Sequence, residues 1–182
     1  LVAVDIDAED EELSRLFTDW CLANLGPAPM RVGKAPKTLL LYQAAEAGWA
    51  KGDSANFTDL FGQKNHLEIL GRGQQFVAYH THPDTGKPYA WPGAAGGAAD
   101  IRASDLTVVT LDQLVAAIAQ FEVIATSLGM GRSGATSSLR PAEPKDRTPR
   151  SDEDFFGRVN DAAMANLSSW VPGLLPNARE YH

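Results

Sequence analysis

The first seven residues, Leu1-Val2-Ala3-Val4-Asp5-Ile6-Asp7, limit the possible fold more than any other segment. An apolar, β-branched run of this kind reads as a buried strand. Strand side chains alternate between faces, so Asp5 and Asp7 share one face and Ile6 lies on the other. Two carboxylates held side by side repel each other unless a cation sits between them. Proteins hold Mg²⁺ or Mn²⁺ against phosphate oxygens with such pairs. The segment also reads as a strand running into an acidic loop, because Glu9, Asp10, Glu11 and Glu12 follow.

A chain of 182 residues can bury one core with an appendage. The single cysteine, Cys21, excludes an intramolecular disulfide and a cysteine-based zinc site, and falls within a helical pattern as a core residue. No apolar stretch reaches membrane-spanning length and no signal peptide is visible, so a reducing cytosol is the expected compartment. The chain opens inside a strand without an initiator Met, which suggests a fragment lacking its upstream part. Net charge is −7, which argues against a generic nucleic-acid coat, but the charge is unevenly spread. Residues 1–29 carry seven acids and one base, whereas residues 30–91 carry seven bases and five acids. An acidic first strand beside a locally basic middle third suits a metal–polyphosphate site.

Periodicity gives the elements. Leu13, Leu16, Phe17, Trp20, Cys21 and Leu25 predict an amphipathic helix over 11–25, ended by Gly26-Pro27. Strands are expected at Met30–Val32, Lys37–Gln43 and Leu67–Leu70, with 44–61 as a hairpin or loop region. Pro83-Asp84-Thr85-Gly86-Lys87 is a strong turn signal, so Gln75–Tyr79 and Tyr89–Trp91 are expected to pair as a hairpin. Pro92–Ala99 reads as a Gly/Ala-rich loop. Thr110 leads a helix through Leu114, Val115, Ile118, Phe121 and Ile124. Residues 129–152, rich in Gly, Ser, Pro, Arg and Lys, read as a flexible linker, and 153–182 as a short helical segment opening a following module.

Several groups along this framework can carry chemistry. Glu68 lies inside the run His66-Leu67-Glu68-Ile69-Leu70. It is either a solvated strand residue or a third carboxylate for Asp5 and Asp7. Arg31, Lys34 and Lys37, spaced by three around a Gly/Pro loop, form either a solvated basic loop or a cradle for a triphosphate. Gly71-Arg72-Gly73 is either a plain turn or a close approach to a ligand. His80-Thr81-His82-Pro83 puts two imidazoles on one strand face, a common metal-ligand spacing. It also resembles the core of JAMM-type zinc isopeptidases, with Glu68 as the upstream acid. Their downstream Ser-x-x-Asp is missing, since Ser104 and Asp105 are adjacent.

The ordered set of motifs resembles a known family. It comprises Asp5-x-Asp7, then Arg31-Val-Gly-Lys34-Ala-Pro36-Lys37-x-Leu-Leu, then Leu67-Glu68-Ile-Leu-Gly-Arg72-Gly-Gln-Gln75. His82-Pro-Asp-Thr-Gly-Lys-Pro-Tyr89-x-Trp91 closes it. In that order they resemble the bifunctional primase–polymerase domains of phages, prophages and plasmids, within the archaeo-eukaryotic primase superfamily. The likeness spans roughly residues 1–125, and the tail from Phe155 to Trp170 resembles the start of the next module in such phage proteins.

The resemblance implies an α+β (α/β) fold, in which an RRM-like antiparallel catalytic sheet carries flanking helices and a smaller α/β unit. It implies a catalytic domain over 1–128 that makes or extends primers from nucleoside triphosphates on a DNA template, with Mg²⁺ or Mn²⁺. Asp5, Asp7 and Glu68 match the catalytic, metal-binding acids. Arg31, Lys34, Lys37 and Arg72 would hold the triphosphate, and His82 and Tyr89 would border the nucleotide or template. The superfamily usually carries a small residue–x–His motif between these strands. No histidine lies between Asp7 and His66, so Lys37 with Arg31 and Lys34 would take its phosphate role. A fused or associated helicase and the cytoplasm of a bacterial host or phage-infected cell would follow, with no membrane partner. Two other classes remain open: a metal-dependent hydrolase using His80, His82 and Glu68, and a non-catalytic nucleic-acid-binding replication module.

Overall fold

The computed structural model describes residues 1–46, 51–93, 97–136 and 139. Among these residues eight strands form a mixed α+β structure with two α-helices and a short 3-10 turn at Ala103–Asp105. The strands are β1 (Val2–Ala8), β2 (Met30–Val32), β3 (Thr38–Ala44), β4 (Lys51–Asp53), β5 (Asn56–Thr58), β6 (Lys64–Leu70), β7 (Val108–Val109) and β8 (Gly131–Ser133). The helices are α1 (Glu11–Asn24) and α2 (Leu111–Ser127). The sheet runs β2-β3-β1-β6-β5-β8, with β4 also on β6 and β7 on β3. All pairings are antiparallel except β3 with β7.

Period-two alternation decides the sheet's two faces. Val2, Val4, Ile6 and Ala8 of β1 are buried on one face, and both helices supply the core around them. α1 starts where the Asp10 carboxylate accepts a hydrogen bond from the Leu13 amide at 2.8 Å. It buries Leu13, Phe17 and Cys21, one turn apart. Burial pushes the Cys21 thiol pKa up, so this thiol is an inert core group. α2 starts with a capping box between Thr110 and Gln113 and buries Leu114, Ala117, Ile118, Phe121 and Ala125. Phe121 meets Phe17 edge to face at 5.1 Å and Phe57 at 6.3 Å, tying both helices to the sheet.

A smaller apolar cluster lies on the opposite face. It comprises Ala3, Leu39, Leu41, Leu70 and Leu106, packed with Phe76, Trp91, Ala98 and Ile101. The last four come from the long excursion between β6 and β7. That excursion caps the face near the start of β1, and Asp5 and Asp7 farther along the strand are half-buried.

Four expectations from the sequence differ. Gln75–Tyr79 and Tyr89–Trp91 do not pair as a hairpin: the turn survives, but the only ladder contacts among the described residues are the bridges Thr81↔Pro88 and Val32↔Ala90. The returning segment bonds β2 instead, through Val32 N to Ala90 O and Ala90 N to Val32 O, both 2.8 Å. Two short strands, β4 and β5, occupy the 44–61 region, broken at Ser54. The Ser54 hydroxyl accepts from the Leu67 amide at 2.9 Å, so the break leaves no buried donor orphaned. The 129–152 linker expectation fails at its start, where β8 pairs with β5. β6 begins at Lys64, three residues before the expected Leu67. The rest of the expected linker and the helical segment 153–182 lie outside the described residues.

Candidate active site

Asp5 and Asp7 lie on the face of β1 opposite the helices. Antiparallel neighbours directly across from one another share a face. Asp5 is opposite Leu39 of β3 and Glu68 of β6; Glu68 is opposite Asp53 of β4, and Leu39 is opposite Arg31 of β2. One row therefore crosses five strands as Arg31, Leu39, Asp5, Glu68 and Asp53. One step along, Asp7 is opposite His66. Three carboxylates in a row are mutually destabilising unless cations intervene.

The chain supplies those cations itself. Lys51 Nζ lies 2.7 Å from Glu68 Oε1 and 3.0 Å from Asp53 Oδ1. Lys37 Nζ lies 2.5 Å from Asp7 Oδ1 and 3.6 Å from Glu9 Oε1. The loop before Lys37 is fixed by the Pro36 carbonyl, which accepts from the Ser14 hydroxyl at 2.6 Å and the Thr38 hydroxyl at 3.1 Å. His66 stands between the two groups, 3.6 Å from Asp7 Oδ2 and 3.6 Å from Glu68 Oε1.

These contacts set the protonation states. His66 and then Lys51 hold the Glu68 carboxyl down to about 2, against its partial burial. Glu68 in turn raises the His66 pKa. Burial pushes Asp5 up to about 6; Arg31 opposes this, while Asp7 and Glu68 add to it. Among the described residues Asp5 accepts no hydrogen bond and forms no ion pair. It is the least compensated carboxylate of the row, offset only at longer range by Arg31 and His66.

Asp5, Asp7 and Glu68 fit Mg²⁺ or Mn²⁺ in donor chemistry and in register, since hard divalent cations take carboxylate oxygens. The under-compensated charge at Asp5 is the one a divalent cation would relieve. Among the described residues, however, no three His, Cys, Asp or Glu side chains are arranged to hold an ion as they stand. Asp7 and Glu68 are closed on lysine ammoniums. The hydrolase constellation is also unassembled: His82 packs on the β2 edge, and Glu68 is engaged with Lys51 and His66.

The expected nucleotide-binding residues divide into groups. Arg31 lies 4.8 Å from the Tyr89 ring centroid and 5.7 Å from that of Phe76, and donates to the Val77 carbonyl. Its Nε is buried without a hydrogen-bond partner. His82 lies 5.3 Å from the Tyr89 ring, and both press on Gly33, where a Cβ would come within 2.3 Å of Tyr89 Cε1. Lys34 pairs with Asp84 at 3.1 Å, tying the loop after β2 to the turn after His82. Arg31, Lys34, His82 and Tyr89 thus form one cluster on the β2 edge. Lys37 joins the carboxylates instead. Arg72 is exposed in the turn after β6, and among the described residues no hydrogen bond or ion pair joins it to either group.

No family model matches this chain, and neither a curated protein nor a solved structure does. The site's own geometry therefore carries the functional reading. Sequence reasoning missed Lys51, Asp53 and the role of His66. One signal was available, because His66-x-Glu68 repeats the one-face spacing of Asp5-x-Asp7 on a neighbouring strand. Lys51-x-Asp53 carries the same spacing, hidden by a central glycine that weakens any strand pattern.

Proposed function

We propose that this chain is a primase–polymerase catalytic domain that joins nucleoside triphosphates on a DNA template. The observation that carries the proposal is the row of Asp5 and Glu68 across β1 and β6, with Asp7 one step along, on the sheet face the helices leave open. On this reading the sheet is the RRM-like catalytic sheet of the superfamily. The excursion between β6 and β7 is its smaller flanking unit.

Asp5, Asp7 and Glu68 would hold Mg²⁺ or Mn²⁺. When bound, such ions activate the attacking hydroxyl and shield the leaving pyrophosphate. The protein's own groups do the rest. Low Glu68 pKa keeps that carboxylate ionised at neutral pH. Arg31, stacked on Tyr89, presents a fixed cation at the β2 edge, and Lys34, paired with Asp84, would add a second to the same anion site. Lys37, held on Asp7 and Glu9, would take the phosphate role that a histidine fills elsewhere in the superfamily. His82 and Tyr89 offer ring faces to a nucleotide or template base. A fused or associated helicase and a cytoplasmic setting belong to the same proposal. No helix of the described residues is long and apolar enough to cross a membrane.

The test is primer synthesis and extension on single-stranded DNA with Mn²⁺ or Mg²⁺, using labelled nucleotides. Divalent-dependent incorporation is expected from the wild type and should be lost in Asp5→Ala/Asp7→Ala, with the circular dichroism of the fold retained. Equal incorporation by the double variant would refute the proposal. DNA binding without any incorporation would favour a non-catalytic replication module.

A further inference from the structure

We infer that Lys51 is an internal counter-ion of the carboxylate site, an ammonium that stands in for a divalent cation and is exchanged for it. This regulation of the site rests on the two-metal reading above.

The geometry sets Lys51 apart from an ordinary surface lysine. Lys51 and Asp53 are two residues apart on β4 and so share the face that bears Asp5 and Glu68. The ammonium bridges carboxylates on two strands, at 2.7 Å to Glu68 and 3.0 Å to Asp53. A divalent cation joining neighbouring carboxylates would use the same oxygens at shorter range, roughly 2.0–2.1 Å for Mg²⁺. Lys51 holds Glu68 by Oε1, so a cation drawn to that carboxylate meets the ammonium's charge at close range. Lys37 does the same for Asp7 on the other side. Asp5 therefore sits between two acids that each already hold an ammonium.

The exchange is feasible because the lysine is weakly held. The side chains of Lys51, Asp53 and Glu68 are 36%, 32% and 28% exposed. Ion pairs of that exposure are weak and are screened by salt. An ion of twice the charge can displace such an ammonium, whereas a fully buried pair would resist. Lys51 thus keeps the metal-free face from repelling itself and makes metal binding by the free protein a competition.

The experiment follows free Mn²⁺ by electron paramagnetic resonance at low ionic strength, with the full chain and no nucleotide. Lys51→Met keeps the apolar stem and removes the charge, and should bind Mn²⁺ roughly fivefold more tightly than the wild type. Lys51→Arg keeps the charge and should bind at the wild-type level. Lys51→Met binding no more tightly than the wild type would overturn the inference while Asp5→Asn still weakened binding. Mn²⁺ binding untouched by Asp5→Asn, or absent from every variant, would remove the metal reading itself. If Lys51→Met does not fold, the wild type decides: its Lys51 Nζ resonance should leave the ion-paired position at saturating Mg²⁺. An unmoved resonance, with Mg²⁺ bound at Asp5, would overturn the exchange.

Discussion

The same strands present two opposite surfaces. On the helix side, Val4, Ile6, Leu40, Leu67 and Ile69 are fully buried. One residue along each strand, the other face carries Asp5, Glu68, His66 and Leu39, with Lys37 and Lys51 closing on the acids. The helix side gains from every contact, since burying one such side chain is worth about 1.5–3 kcal/mol. The open side is held at a loss: a row of like charges is kept together by Lys37 and Lys51, and Asp5 is offset only at longer range by Arg31 and His66. The first face makes the fold stable, and the second gathers charge at a cost to stability.

The strongest way to break this contrast is Phe121→Ala. Phe121 joins α2 to Phe17 of α1 and Phe57 of β5, so its removal should cost about 3–5 kcal/mol in urea unfolding. A cost under about 1 kcal/mol would mean that the helix face is not the main source of stability. The open face should answer with the opposite sign. The Asp5 carboxyl is held at about 6 in the folded chain, above its value when unfolded. The folded state then binds its proton more tightly, so stability falls as pH rises from about 4 to about 6 and stays lower beyond. Asn cannot ionise. Metal-free Asp5→Asn should therefore be more stable than the wild type at pH 7 by about 1–3 kcal/mol, and should lose the fall between pH 4 and 6. A variant less stable than the wild type at pH 7 would show that Asp5 is compensated after all.

Most of the helix face was legible in the sequence, because periodicity is a local signal. β1, α1 and α2 follow from apolar spacing alone, as do Asp5, Asp7 and Glu68 as same-face or in-strand acids. The failures share a cause in long-range pairing. Phe76, Tyr79, Tyr89 and Trp91 carry strand-like aromatics, but Ala90 finds its partner in Val32 rather than in its own hairpin. β8 shows no apolar signal, since Gly131, Arg132 and Ser133 are all exposed, and only pairing with β5 makes it a strand. Lys51 and Asp53 reach Glu68 through the register of β4 on β6, which no single segment states.

The β2 edge offers a smaller test. In Gly33→Ala the new Cβ would meet Tyr89 Cε1 at 2.3 Å and His82 Cδ2 at 2.8 Å. Both are side-chain atoms, so the rings can move, at a cost of about 1–2 kcal/mol. The strain falls on the Arg31 stack, so under the proposed function nucleotide affinity should drop more than stability does. Unchanged nucleotide affinity with the expected destabilisation would make this edge a structural clasp only.

The smallest effect concerns His66, which links the two lysine-held groups. Its pKa is raised by Glu68, so its stabilising contribution is complete below its unfolded value, near 6.5, and is lost as pH rises through the higher folded value. Glu68 behaves in the mirror sense: its contribution holds above its unfolded value and is lost as pH falls toward about 2. His66→Gln should flatten the alkaline limb while leaving the fold intact. In carboxyl-detected NMR the Glu68 titration should move up from about 2 toward the ordinary carboxylate range, because His66 is the largest of the influences holding it down. Lys51 would then be the only remaining cation on Glu68 among the described residues, and the variant's stability should become more salt-sensitive than the wild type's. A Glu68 titration that stays near 2 in His66→Gln would assign the depression to Lys51 alone and leave His66 as a bystander between the two ion pairs.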